Sequence, residues 1–366
     1  MGKTIPPAIS VLLPGLASNS CRLRQAVDEI FRVLIGRGWA HHEVAHLVAP
    51  LLTLSSDPGL CEGRKCGMAL YLSRCGFHCF EVPADVPETV VVSTHFYIKP
   101  LLEWLTAPRD FLILELSLAG AGLKRVSNGM LTEVALPRAV PTSLEEIASS
   151  DAPARPPTRL AGKGSPPSNA ISFGISSASE ERRIRFFCAM VDRGLHSYLQ
   201  DLGLPLVLAG PAHMVNAYRK QNTYPATIIT PLLGNAESMP PGEFLDRARA
   251  LVRDEKVQQA VRHLAGMEEY APGDRWSTTL GSVLRAAAEG RVSRLFLASG
   301  GACQGDFHEA LGDSTGPFPV EEDLLNVIAI ETLAQGGELN LIPSDQLPAR
   351  AQVAALFRYS QDSVEE

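Results

Sequence analysis

His42-Glu43-Val44-Ala45-His46 is the segment whose residue types and spacing most directly suggest chemistry. On a helix, two histidines four apart share a face and can hold one zinc ion. The glutamate between them can act as general base toward a metal-bound water. The continuation Leu47-Val48-Ala49-Pro50 lacks the further histidine of a metzincin, and no third ligand follows on a second helix. Pro50 is expected to end the helix. The preferred reading is therefore a histidine-rich exposed helix. A zinc-dependent hydrolase using His42, Glu43 and His46 is the alternative.

Three other constellations invite the same question. Cys61, Cys66, Cys75 and Cys79, near His78, are separated by four, eight and three residues, not by a pair of C-x-x-C knuckles. Cys75 and Cys79 lie on or beside an expected strand, where cysteine commonly serves as a small hydrophobe. Ala161-Gly162-Lys163-Gly164-Ser165 has the look of a phosphate loop, but a Walker A lysine is followed by Ser or Thr and here position 164 is Gly. A flexible linker explains it better. Arg182, Arg183 and Arg185 open a long helix, and with Arg159 and Lys163 they could meet phosphates. The alternative is a solvated helix face partly balanced by Glu180 and Glu181.

These residues need a scaffold, and hydrophobic periodicity supplies one. Ala8 to Leu13 reads as a strand, Leu23 to Leu34 and His41 to Leu52 as helices, and Met68–Leu72 with Phe77–Val82 as a hairpin across Cys75-Gly76. Thr89–Ser93 is a further strand, and Lys99 to Leu105 a short helix. Phe111–Leu116 opens a second unit, followed by a hairpin whose turn is Asn128-Gly129, two positions that favour positive φ. From Pro137 to Glu180 the chain holds seven prolines and many small residues, which predicts a long mobile connection. Beyond it, Ile184, Phe187, Cys188, Val191, Leu195, Tyr198, Leu199 and Leu202 mark one face of a long helix, and Pro205–Gly210 a buried strand. A third unit holds helices over 244–264 and 278–288 and the strand 294–298. Its closing helix is capped by Asp323, carries Leu325, Ile328, Ala329, Thr332 and Leu333 on one face, and stops at Gly336-Gly337.

Composition sets the outer limits. A chain of 366 residues with 45% hydrophobic and 20% charged residues fits a soluble globular protein of two or three domains. No apolar run approaches the roughly 18 residues of a membrane span. Pro6, Pro7 and Pro14 interrupt the start, so a first strand is expected there rather than a signal peptide. Seven cysteines without framework spacing fit reduced thiols in a cytoplasm. A formal net charge of −7 argues against binding nucleic acid over a broad surface but leaves a local patch open. No cofactor motif is present.

In order and spacing the chain resembles the bacterial archaeo-eukaryotic release factor family, relatives of Pelota and of class 1 release factors. The residues that carry the resemblance are Phe96-Tyr97-Ile98-Lys99-Pro100-Leu101-Leu102, Leu204 to Gly210, Tyr218 to Pro225, Glu322-Asp323-Leu324-Leu325, Ile330 to Leu333, Gly336-Gly337 and Ala354 to Tyr359. The resemblance implies an α/β chain of three domains. These are an N-terminal α/β domain (1–106), an RNase H-like central domain (107–238) whose mobile loop spans 137–180, and an L7Ae/L30e-like C-terminal domain (239–366). It also implies a ribosome-associated translation factor in the cytoplasm, acting in termination, rescue of stalled ribosomes or hibernation, with the ribosome and its RNA, and a translational GTPase, as partners. One departure matters. Family members that hydrolyse peptidyl-tRNA carry Gly-Gly-Gln just before the long central helix, and this chain has no glutamine between Gln25 and Gln200. A loop without the group that positions water is not expected to do that chemistry. Arg159, Lys163 and Asn169 in this loop, with Arg182, Arg183 and Arg185 after it, are the RNA-binding candidates. A scaffold no longer tied to the ribosome is a further alternative.

Overall fold

The computed structural model describes residues 7–15, 19–56, 66–141, 143, 172–234, 239–270, 275–310 and 321–359. It is a mixed α/β chain of two compact units, Met1–Ala107 together with Gln259–Glu366, and Pro108–Gln258.

The first unit begins with an antiparallel sheet of β1 (Ala8–Leu13), β2 (Gly67–Ser73), β3 (Gly76–Val82) and β4 (Thr89–Ser93), in the order β3-β2-β1-β4. Strand β1 is buried along its whole length. One face of the sheet is covered by α1 (Asn19–Gly36) and α2 (His41–Ser55), whose Leu23, Ile30, Leu34, Val44, Val48 and Leu51 meet Ile9, Val11, Leu13 and Leu70. Helix α2 runs through Pro50, as the helix expected over His41 to Leu52 does, and the proline does not end it. The ring forfeits one backbone bond, and burial of Val48 and Leu51 on either side holds the helix in line. Against the other face lie Phe96, Tyr97 and Ile98, which lead into a 3₁₀ turn (Lys99–Leu101) and α3 (Leu102–Thr106).

The second unit is a five-stranded sheet. Strands β5 (Phe111–Leu116), β6 (Ala121–Ser127) and β7 (Met130–Val134) form an antiparallel meander. Asn128 and Gly129 take φ of 48° and 82° in its two-residue turn, as the sequence predicts. Helix α4 (Ser172–Leu202) returns the chain to β8 (Leu206–Gly210), parallel to β5. After α5 (Ala212–Arg219), β9 (Leu232–Leu233) pairs parallel with β8. The sheet order is β7-β6-β5-β8-β9. The apolar face of α4 packs on Leu112, Leu114, Leu206 and Leu208. Phe244, Ala248 and Val252 of α6 (Pro241–Tyr270) cover the opposite face. Helix α4 starts at Ser172, earlier than the boundary near Glu180 expected from sequence. The stretch after Pro137 also begins packed: Val140 is buried, and a Cβ at Gly194 would lie 2.6 Å from its Cγ2.

The last segment of the first unit carries a second four-stranded sheet. It comprises β10 (Trp276–Ser277), β11 (Val292–Ala298), β14 (Glu338–Ile342) and β15 (Val353–Phe357), in the order β10-β15-β11-β14, with β11 and β14 parallel. Helices α7 (Leu280–Ala288) and α9 (Leu324–Ala334) pack on one face. Between them in sequence, β12 (Gln304–Asp306) pairs with β13 (Glu321–Asp323), and α8 (Phe307–Ala310) follows β12. Asp323 caps α9 by accepting from the Leu325 amide at 3.2 Å. Gly336 alone supplies the left-handed stop, with φ of 70°. Gly337 is required for close packing instead, because a Cβ there would lie 2.6 Å from Thr332 Cγ2 and 2.8 Å from the Val292 carbonyl. Leu333, expected on the buried face, is 40% exposed. The core wraps the N-terminal turns of α9 almost all round but leaves this last turn open.

Gly210, at the end of β8, has φ of 143°, and a Cβ there would stand 2.1 Å from the Leu116 carbonyl oxygen. Gly210→Ala is therefore expected to cost about 3 kcal/mol or more, read as a lower urea midpoint with little change in slope. An unchanged midpoint would show that β5 and β8 do not approach this closely.

Candidate functional site

The exposed face of α4 is the strongest surface feature that sequence-predicted residues build. Arg182, Arg183 and Arg185 are all exposed on its early turns, as is Phe186 at 46%. Arg193, missed in the sequence reading, continues the same stripe, about 16 Å along the axis from Arg182. The signal that could have found it is the i, i+4, i+7, i+11 run of Arg182, Phe186, Ala189 and Arg193. Arg185 has a carboxylate, Glu181, at 3.9 Å one turn earlier; such an exposed pair is weak and easily exchanged. Between residues 182 and 200 the only acidic residue is Asp192, and it points inward. The outer surface of these turns thus carries four guanidinium groups and no carboxylate. Arg159, Lys163 and Asn169 lie outside the described residues.

Asp192 is turned inward by a network built from the segment 218–223. One oxygen accepts from the Thr223 amide at 3.1 Å and from the Tyr218 hydroxyl at 3.4 Å; the other accepts from Thr223 Oγ1 at 2.8 Å. Burial, and then the nearby Asp192 charge, raise the Tyr218 phenol far above its ordinary range, so it stays a donor. His196 extends the network through Thr223 at 2.9 Å. The carboxylate's role is positional. It fixes the loop after α5 against α4 and keeps its own charge away from the arginine stripe.

A second buried network lies in the first unit, where the segments 93–99 and 322–326 meet. Glu322, 6% exposed, accepts from Ser93 Oγ at 2.6 Å and Thr94 Oγ1 at 2.8 Å, and lies 3.2 Å from His95 Nδ1. The other His95 nitrogen faces Glu331 at 3.6 Å, and its ring packs edge-on to Phe307. Asp323 pairs with the Lys99 ammonium. Asn326 accepts from the amides of Ile98 and Lys99 at 2.9 and 3.1 Å and donates to the Phe96 carbonyl at 2.9 Å. Burial alone would raise the Glu322 carboxyl. The bonds from His95, Ser93 and Thr94 and the charge of His95 outweigh it, and the net shift is downward. Both oxygens are engaged by the protein, so the cluster is a clamp rather than a site with room for a reacting atom. Phe96–Leu102 and Glu322–Leu325 stand out in the sequence one by one, whereas their pairing is set only by the fold.

His42, Glu43 and His46 line a surface cavity of 720 Å³ between α2 and the turn into β3. Glu43 is committed locally: its carboxylate accepts from the Ala40 amide at 3.3 Å, the backbone half of a capping box, and lies 3.6 Å from Arg74. Cys75 and Cys79 are exposed and Cys66 is half-buried, while Cys61 lies outside the described residues. Among the described residues, no three His, Cys, Asp or Glu side chains group closely enough to hold a metal ion. No helix among them is long and apolar enough to cross a membrane.

Residues 110–291 match the family model of bacterial archaeo-eukaryotic release factor family 3, a stretch from just before β5 to the start of β11. This segment belongs to the bacterial archaeo-eukaryotic release factor family. The release factor segment therefore contains the whole arginine stripe and the Asp192 network. No curated protein matches the chain. Among solved structures the chain is similar to the archaeal translation termination factor aRF1, at 12% identity and a TM-score of 0.25, covering 96% of this chain and 92% of that one. It is similar to Pelota of Archaeoglobus fulgidus, at 14% identity and 0.34, covering 81% and 80%. It is also similar to Dom34 of S. cerevisiae, described as a translation termination-like factor interacting with Hbs1, at 11% identity and 0.32, covering 80% and 76%. The family assignment rests on the matched segment.

The clamp generates a pH prediction. Glu322 titrates below its ordinary value near 4.5 in the folded chain. It thus contributes stability that is present above that value and lost as the pH falls through the lower folded one. Glu322→Gln is expected to lower stability at neutral pH by about 1–3 kcal/mol. It is also expected to flatten the fall of unfolding free energy between about pH 6 and pH 3. A variant with the wild-type acid slope would show that Glu322 carries no such linkage.

Proposed function

We propose that this protein is a ribosome-associated translation factor that acts by occupying the ribosome, not by hydrolysing peptidyl-tRNA. The observation that carries the reading is the arginine stripe of α4, four exposed guanidinium groups within a release factor family segment, on a chain whose net charge is −7. A local basic face on an acidic protein suits docking at one RNA surface and disfavours coating RNA at large. The missing glutamine between positions 25 and 200 supports the non-hydrolytic part.

In this reading the protein works in the cytoplasm. The order β7-β6-β5-β8-β9, a meander followed by two parallel strands, supports an RNase H-like central domain. The sheet of β10, β15, β11 and β14 with its helices serves as an L7Ae-like domain, and a translational GTPase is the partner class that delivers the protein to the ribosome. Rescue and hibernation differ in the ribosome they use, stalled in the first case and empty in the second.

Co-sedimentation with 70S ribosomes over a range of salt tests this. Saturable binding that weakens with salt is expected. The double variant Arg182→Glu, Arg185→Glu should bind at least about tenfold more weakly, with a salt slope shallower by about two. Unchanged affinity in this variant would remove the stripe from the interface, and absence of binding at low salt, with or without a translational GTPase, would overturn the reading.

A further inference from the structure

The paired histidines of α2 take no part in the function proposed above, yet they form the wall of the 720 Å³ cavity, a size that suits a small organic ligand. Its polar lining is mainly cationic or imidazole: Arg74, His42 and His46, set against the single carboxylate of Glu43. That carboxylate already accepts from the Ala40 amide. Its 3.6 Å separation from Arg74 exceeds hydrogen-bond length, so the guanidinium edge keeps donors for another anion. The Cζ of the same guanidinium lies 4.8 Å over the Trp39 ring centroid, a cation–π contact that restrains the side chain at the cavity wall. Leu47, Pro50 and Phe77 supply an apolar wall opposite these polar groups in character.

An anionic head beside a flat apolar body is the ligand class this lining selects. A metal ion fits less well, since the described residues offer no group of three ligands and the exposed thiol of Cys75 is not joined to the histidines in one. We propose that the cavity binds a free mononucleotide, its phosphate at the edge of Arg74 with His42 and His46, and its base on the wall of Leu47, Pro50 and Phe77. The proposal stands independently of ribosome binding.

Isothermal titration of the full chain with AMP, adenosine and inorganic phosphate tests it. AMP is expected to saturate one site with a Kd between about 10 μM and 1 mM, with adenosine and phosphate each at least about tenfold weaker. Arg74→Gln, at a half-exposed side chain that leaves the core intact, should weaken AMP about tenfold, and His46→Gln about threefold. Circular dichroism of both variants checks that the fold is kept. Three results would overturn the proposal: no saturation by about 5 mM AMP, AMP binding insensitive to Arg74→Gln, or a short oligoribonucleotide bound more tightly than AMP with the same Arg74 dependence, which would make the cavity a site for an RNA chain.

Discussion

Two carboxylates and an amide buried at the start of α9 are the constraint on which the first unit depends. Glu322, Asp323 and Asn326 could not remain buried unless each polar atom found a partner, because an unpaired buried charge costs several kcal/mol. Apart from the Leu325 and Cys303 amides that bond to one Asp323 oxygen, the partners come from 93–99, more than 220 residues earlier in the chain. Neither segment can therefore be placed without the other. The clamp also uses backbone groups: the amides of Ile98 and Lys99 bond to a side chain instead of to a sheet neighbour, which fixes the path into α3.

The same rule, acids inward and satisfied, organises the second unit. Asp192 is spent on Tyr218 and Thr223 inside, so the outward turns of α4 are left basic. Net charge therefore predicts little about local behaviour here. An acidic chain can present one cationic stripe if its nearby carboxylates are buried in hydrogen bonds, and such a stripe is suited to a defined phosphate surface.

What could be read from sequence was what neighbours along the chain decide. The Asp323 cap, the Asn128-Gly129 turn and the buried face of α4 each rest on residues within a turn or two of each other, and periodicity exposes them. What could not be read depends on distant partners or on the extent of cover. Pro50 sits inside α2 because buried residues flank it, and Leu333 is exposed because the core ends a turn earlier. Gly337 is fixed by the approach of Val292, and the partners of Glu322 are invisible without the fold. Of the candidate RNA contacts, Arg182, Arg183 and Arg185 were legible as a cluster. Arg193 stands eleven residues on from Arg182, outside that cluster, and is legible only when the helical phase is carried that far.

The central claim, that residues 93–99 and 322–326 form one cooperative unit through their buried polar bonds, is tested most directly by hydrogen exchange resolved by segment in Asn326→Ala. The account predicts that the amides of 94–102 and those of α9 lose protection together and to a similar degree. Faster exchange confined to 94–102, with α9 protected as in the unaltered chain, would contradict it.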